Sequence, residues 1–331
     1  MPRRNYFVIL CAIVVGVVCY QSADRNPLAR SFSEITDLVE RRYVDQVDRQ
    51  KLWAGAVRGM LNELSDPYSE YIDPKEAAEL ETQLNQEFAG IGIQVALDPG
   101  SNKLTIISPI VGTPAYRAGI LAGDTIAKID GHPTREMNYT EATARIRGKE
   151  GDPVQLTIER PGHSEPIDLP PIKREMINVE SVLGDTRTSH DDWNFLLQTQ
   201  PKIGYVRIIS FGEHTVAELK AALEQLEKEH VQGLVLDLRN DPGGLLTAAI
   251  DVCNMFLPEG TPIVSTRGRD GNDEQKHVAD GGWKFPNVPM VVLVNHGSAS
   301  ASEIVAACLQ DNGRAAVAGE RSYGKGTVQN V

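Results

Sequence analysis

Residues 292–329, VLVNHGSASASEIVAACLQDNGRAAVAGERSYGKGTVQ, carry the side chains best suited to chemistry. An apolar run, Val291 to Val294, enters a turn of small residues. Ser300-Ala301-Ser302-Glu303 then opens an apolar-periodic stretch through Ile304, Ala307 and Cys308 that ends near Gly313. This spacing predicts a strand, a sharp turn and a capped helix. A serine at such a turn stands at a helix N-terminus, where the N–H of the following residue points outward and can stabilise an oxyanion. Farther on, Lys325 lies between Gly324 and Gly326, which let the backbone pack close around it. A serine hydroxyl needs a base to become a nucleophile, and a lysine desolvated enough to be neutral can serve. Together these types point to hydrolysis by a Ser–Lys pair. The same letters also have a purely structural meaning, since Ser-x-x-Glu commonly caps a helix and a lysine between glycines commonly occupies a solvated turn. Ser298 and Ser302 carry competing hydroxyls.

The elements around this stretch read as α/β. Ile172 to Leu183 is extended, Ile203 to Ile209 is an apolar strand, and Val216, Leu219, Leu223 and Leu226 define an amphipathic helix. Gly233 to Leu238 is a buried-type strand leading to Arg239-Asn240-Asp241-Pro242-Gly243-Gly244, followed by a helix from about Leu245 to Phe256. Strand and helix in alternation predict crossover units and a largely parallel sheet. A glycine turn at a strand's C-terminal end is where such a sheet faces its ligand, although the glycines also satisfy a left-handed turn with no further role. The polar, glycine-rich run from Ser265 to Trp283 is expected to be a surface loop near the substrate path.

Upstream the patterns change. Phe88 to about Pro161 holds short strands and turns: Gly90-Ile91-Gly92-Ile93 opens an alternating strand, Gly123-Asp124 begins another, and Tyr139 to Arg147 is helical. Before it, Ser31 to Val44, Leu52 to Leu64 and Pro74 to about Gln86 have helical periodicity, with a turn at Ser65-Asp66-Pro67. At the start, Arg3 and Arg4 precede the uncharged run Tyr6 to Tyr20, with small residues at Ser22 and Ala23. This is a signal-peptide layout. As a helix the run reaches about 22 Å, short of the ~30 Å hydrocarbon core, so it reads either as a cleaved signal or as an anchor helped by its flanks. Val18 before Cys19 argues against a lipoprotein.

Composition excludes several classes. The 331 residues are 41% hydrophobic and 24% charged, with 33 Lys and Arg against 45 Asp and Glu for a net charge of −12, so no nucleic-acid partner is implied. Of four cysteines only Cys253 and Cys308 lie beyond the N-terminal run, on apolar helix faces, where buried free thiols are expected. The spacing of ligand types calls for no metal and no cofactor.

The run GSASASEI, followed by LQDNGRAAVAGE and SYGKGTVQ, resembles the active-site region of the carboxyl-terminal processing proteases, tail-specific serine endopeptidases. The resemblance implies a nucleophile at Ser300, a general-base lysine at Lys325 and an orienting glutamine at Gln329, and it alone prefers Ser300 to its neighbours. It implies oxyanion N–H groups from Ala301 and from Gly243 or Gly244. Asp311 matches an aspartate that some members need, but a carboxylate touching the lysine would raise its pKa, so a structural place at the helix end is expected. The base role requires burial to keep the Lys325 amine neutral.

The order of elements from the GxG loop through the GD turn to IRGKEG resembles a PDZ domain of the bacterial, permuted kind. Ala89, Gly90, Ile91, Gly92 and Ile93 match its carboxylate-binding loop, whose N–H groups capture a peptide C-terminus while the peptide adds a strand to a sheet edge. Arg117 and Arg147 are expected to link this domain to the core. The implied architecture is multi-domain α+β: a signal peptide or membrane anchor over 1–23, an N-terminal helical domain over 27–87, a PDZ domain over 88–168, and an α/β serine protease core of the crotonase/ClpP-like kind over 169–331. Members of the family continue beyond GKGTVQ, so the core is expected to be truncated at its C-terminus.

The implied function is endoproteolysis of exported proteins recognised by free C-terminal tails, in the periplasm or at the outer face of the inner membrane. The N-terminal segment would supply membrane association, and the N-terminal helices a homo-oligomer. Two other readings stand beside it: a non-proteolytic PDZ adaptor with an inactive protease-like domain, and a Ser–His–Asp hydrolase using a histidine such as His296, although no GxSxG elbow frames Ser300.

Overall fold

The computed structural model describes residues 27–98, 103–188, 192–269 and 274–329. The expected signal or anchor segment, 1–23, lies outside them. Among the described residues the chain divides into two compact units, residues 27–77 and 78–329.

In the first unit the helices run Pro27–Arg42 and Arg49–Asn62. Each begins about three residues before the apolar periodicity does, because Pro27 opens one and Asp48 caps the other. The Asp48 carboxylate accepts from Gln50 N–H at 2.9 Å. Trp53 packs edge-on to Tyr71, with ring centroids 5.7 Å apart. The apolar side chains of Phe32, Ile35, Leu38 and Met60 remain exposed. No helix among the described residues is long and apolar enough to cross a membrane.

A helix Pro74–Asn85 leads into the second unit. Its first half holds an antiparallel sheet of Ile93–Leu97, Leu104–Pro109, Thr125–Ile129, Leu156–Glu159 and Ile167–Asp168, in that spatial order. Alternate residues Leu104, Ile106, Ile126, Leu156 and Ile158 point into one buried core. Ile93–Leu97 stands at an edge of this sheet. Ala89 and Gly90 depart from expectation. They belong to a strand, Glu87–Gly90, whose partners are residues 175–178, so only Ile91 and Gly92 form loop before Ile93 begins the edge strand. Alternation could not foretell this, since the partner strand lies far along the chain.

This strand pair joins the two halves of the unit. Arg147 lies over the Phe88 ring and Arg117 pairs with Glu175, so both expected linkers contact the joining strands. The stronger tie is Arg174, 7% exposed, which donates to the carbonyls of Arg145 at 2.6 Å, Ile146 at 2.9 Å and Pro153 at 2.9 Å. Arg174→Met removes the donor to all three carbonyls, the buried one of Ile146 among them, and is expected to lower stability by about 3 kcal/mol, read as an earlier urea midpoint. A midpoint equal to wild type would show that water replaces the guanidinium without loss.

The second half is built on a five-stranded sheet. Its strands, numbered within the sheet, are β1 (Val182–Leu183), β2 (Ile203–Ile208), β3 (Gly233–Asp237), β4 (Met290–Val294) and β5 (Ala316–Gly319), adjacent in that order. β2 to β5 are parallel and β1 is antiparallel to β2. Three helices complete the layer: α1 (Thr215–Lys228), α2 (Leu246–Asn254) and α3 (Ala301–Asp311). Leu219, Leu223, Val252, Val305 and Leu309 bury their side chains with Val206, Leu236 and Val292 of the strands. β5 escaped the sequence reading, because AVAG is short and only its parallel pairing with β4 makes it a strand. The run 265–283 is not all loop: Pro262–Thr266 and Gln275–Val278 pair as a two-stranded ribbon.

Candidate active site

Three segments leave the C-terminal ends of the adjacent parallel strands β3, β4 and β5 and meet above the sheet, the place where open α/β sheets bind ligands. They are the turn 238–244, the turn 295–300 and the chain 320–329. Hydrogen bonds sew the first two together: Ala299 N–H to Asp241 O at 3.0 Å, Ser298 Oγ to Leu238 O at 2.7 Å, and Ser302 Oγ to Asp241 O at 3.1 Å.

Ser300 has φ 55° and ψ −113°, a left-handed conformation that costs a non-glycine residue strain and occurs at functional turns. Of the three serines it is the one that remains half-exposed, whereas Ser298 and Ser302 are fully buried and committed to the carbonyls of the neighbouring turn. Burial and hydrogen bonding thus distinguish the hydroxyls that sequence left in competition.

Sequence reasoning saw Glu303 only as a capping residue, and it does more. Its Oε2 accepts the main-chain N–H of Ser300 at 2.8 Å and of Lys325 at 2.9 Å. Its Oε1 accepts Ser322 Oγ and Gly324 N–H, both at 2.7 Å. One carboxylate therefore holds the serine turn and the lysine segment together, and the Lys325 ammonium is not among its four donors. Burial alone would raise the Glu303 pKa, but these four hydrogen bonds hold it below the ordinary glutamate value.

Ser300 and the half-buried Lys325 line one cavity of about 890 Å³. Helix α3 supplies Ile304 and Ala307 to its wall, and the ribbon supplies Val264, His277 and Val278. Asp311 lies in the same cavity at the last position of α3, eleven residues from Ser300, or about 16 Å along a helix axis. That distance keeps it from the serine. Gln329 departs from expectation: it is exposed, and its Nε2 donates to Thr327 Oγ1 at 2.9 Å. A four-residue spacing aligns side chains on a helix, but residues 320–329 form no helix here. His296 is exposed and pairs with Glu320 at 3.2 Å. Among the described residues His277 is the histidine that lines the cavity, its Nε2 is buried without a hydrogen-bond partner, and no hydrogen bond joins it to Ser300.

The glycine turn closes on the serine. A Cβ on Gly243 would lie 2.9 Å from both Ala301 N and Ser300 Cβ, and one on Gly244 would lie 2.0 Å from Phe211 O, so neither position admits a side chain. Among the described residues Ala301 N–H and Gly244 N–H have no acceptor. Ser300 and Lys325 thus share a cavity, and the glycine turn packs against Ser300 and Ala301, an arrangement suited to acyl transfer.

A model of peptidase family S41 matches residues 202–331, a PDZ domain model matches 79–159, and a model described as the activating protease CtpB N-terminal domain matches 21–76. The carboxy-terminal-processing protease of Bartonella bacilliformis is 42% identical over 308 residues, covering 92% of this chain and 67% of the relative. The chain belongs to the carboxy-terminal processing proteases of family S41. Carboxy-terminal processing protease CtpA of Bacillus subtilis is 40% identical over 88% of this chain and 59% of its own length. The chain thus spans about three fifths to two thirds of these two relatives. A solved photosystem II D1 C-terminal processing protease is similar at 30% identity and a TM-score of 0.47, covering 90% of this chain and 82% of that one. Family membership accounts for the helical, PDZ and protease segments in the order observed.

Proposed function

We propose that this chain is a serine endopeptidase in which Ser300 is the nucleophile and Lys325 the general base, acting on exported proteins captured by their C-terminal tails. The observation that carries the reading is the shared Glu303 carboxylate: the main-chain nitrogens of Ser300 and Lys325 can be no farther apart than their two bonds to Oε2 together. Both residues also line one cavity. The lysine amine takes the Ser300 proton as Oγ attacks the carbonyl carbon of the peptide. Ala301 N–H and the glycine turn receive the oxyanion. The ammonium then gives its proton to the leaving amine, and water hydrolyses the acyl-enzyme by the same path in reverse. The apolar wall of Val264, Val278, Ile304 and Ala307 favours an apolar side chain beside the scissile bond.

The open edge strand Ile93–Leu97, preceded by the Ile91-Gly92 loop, supports capture of a peptide tail by strand addition. The basic and apolar N-terminus supports export and attachment to the inner membrane's outer face, and the exposed apolar side chains of the N-terminal helices support self-association.

The test is incubation of the full chain with an unfolded protein bearing a free or an amidated C-terminus, together with labelling by a fluorophosphonate. Cleavage of the free-tailed protein and modification at Ser300 are expected. Amidation is expected to raise KM about 10- to 100-fold with kcat unchanged, because it removes charge-assisted bonds of about 1.5–3 kcal/mol. Tail binding without cleavage or labelling would make the chain an adaptor.

A further inference from the structure

Asp241 is fully buried in the turn between β3 and α2, yet its surroundings use only part of it. Its Oδ1 accepts Gly243 N–H at 2.8 Å and its main-chain oxygen accepts Ala299 N–H and Ser302 Oγ, while Oδ2 is buried with no hydrogen-bond partner among the described residues. Burial pushes the Asp241 carboxyl up to about 7 against the hydrogen bonds that lower it. A group this costly to bury is retained where it sets geometry.

The geometry it sets is that of the glycine turn. Gly243 is buried and its N–H is committed to Asp241, so it has nothing to offer a substrate. The Gly243 carbonyl accepts Phe211 N–H at 3.0 Å. In a trans peptide the N–H opposes the carbonyl, so Gly244 N–H faces away from Phe211. Gly244 is exposed.

We propose that Asp241 is the positioning residue of the oxyanion site: by holding Gly243 N–H inside the turn, it orients the next peptide so that Gly244, together with Ala301, donates to the substrate's carbonyl oxygen. The inference rests on the serine-peptidase reading and decides between the two glycines that reading left open. Pro242, which has no N–H, cannot compete for the Asp241 oxygen.

The test compares kcat and KM of the full-length wild type, D241A and D241N. D241A is expected to lower kcat about 10²-fold, the usual effect of losing one oxyanion donor, with KM unchanged. D241N keeps an oxygen for Gly243 N–H and is expected to recover most of kcat. D241A with wild-type kcat, or D241N as impaired as D241A, overturns the proposal. Amide hydrogen exchange on the wild type needs no variant to fold: Gly243 is expected to be protected and Gly244 to exchange fast, and the reverse order also overturns it. If wild type neither cleaves nor labels at Ser300, the peptidase reading fails and this proposal with it. Labelled, active wild type beside an unimpaired D241A sinks the proposal alone.

Discussion

Ser300→Ala and Lys325→Ala are each expected to lower peptide hydrolysis by roughly four to six orders of magnitude, and the double variant to fall no further. In the proposed mechanism nucleophile and base act as one unit. Without the hydroxyl the amine has no proton to take, and without the amine the hydroxyl stays protonated and unreactive, so either loss removes the whole covalent route. What remains is catalysis by substrate binding and by the N–H donors of Ala301 and the glycine turn, which the two substitutions leave in place. Initial rates at saturating unfolded substrate check this, with unfolding midpoints near wild type to show that the fold persists. Ser298→Ala is the informative contrast: Ser298 Oγ is buried against Leu238 O, so its loss is expected to reach activity only through stability. A Ser300→Ala variant that still cleaves would assign the nucleophile elsewhere, and His277, which shares the cavity, would then be the first residue to substitute.

Glu303→Gln is expected to reduce kcat about 10²-fold and to lower stability by about 3 kcal/mol. The amide keeps one oxygen, but its NH2 must face main-chain N–H groups that now receive the other oxygen, so donors oppose donors where four hydrogen bonds stood. The Ser300 turn and the Lys325 segment then lose their common anchor, and a misplacement of about 1 Å between reacting groups suffices for the loss of rate. The native Glu303 pKa lies below its unfolded value, so its stabilising effect is fully present above the unfolded carboxyl pKa and disappears as pH falls through the lower, folded one. Wild type is therefore expected to lose stability on acidification, and Glu303→Gln to show less of that loss, when unfolding midpoints are followed from neutral to acid pH. Identical slopes for the two proteins would show that the carboxylate does not hold the site.

Much of the fold was open to local reading because its signals are local. The amphipathic spacing of Leu219, Leu223 and Leu226, the buried-type run Gly233 to Leu238 and the small-residue turn before Ser300 all became the elements they predict. Errors fell where pairing with distant chain decides. Ala89 and Gly90 became strand because residues 175–178 lie beside them, AVAG became β5 because β4 does, and the polar run after Ser265 became half of a ribbon. Gln329 was offered by the resemblance alone, with no local signal for its partner, and its amide bonds Thr327.

By itself the sequence determined that a serine would stand at the mouth of a helix, that glycines would occupy the turn after a buried strand, and that a lysine would follow within reach along the chain. These follow from side-chain periodicity and from which residues tolerate a turn. Only the tertiary structure decided which of three hydroxyls stays open, which of two glycine N–H groups is already taken, and that Glu303 joins the serine to the lysine. The first and third of these rest on hydrogen bonds between segments about twenty to sixty residues apart in the chain, which exist only once parallel strands have brought their C-terminal ends side by side, and the second rests on a bond from Gly243 to Asp241 within a turn that packs against Ser300.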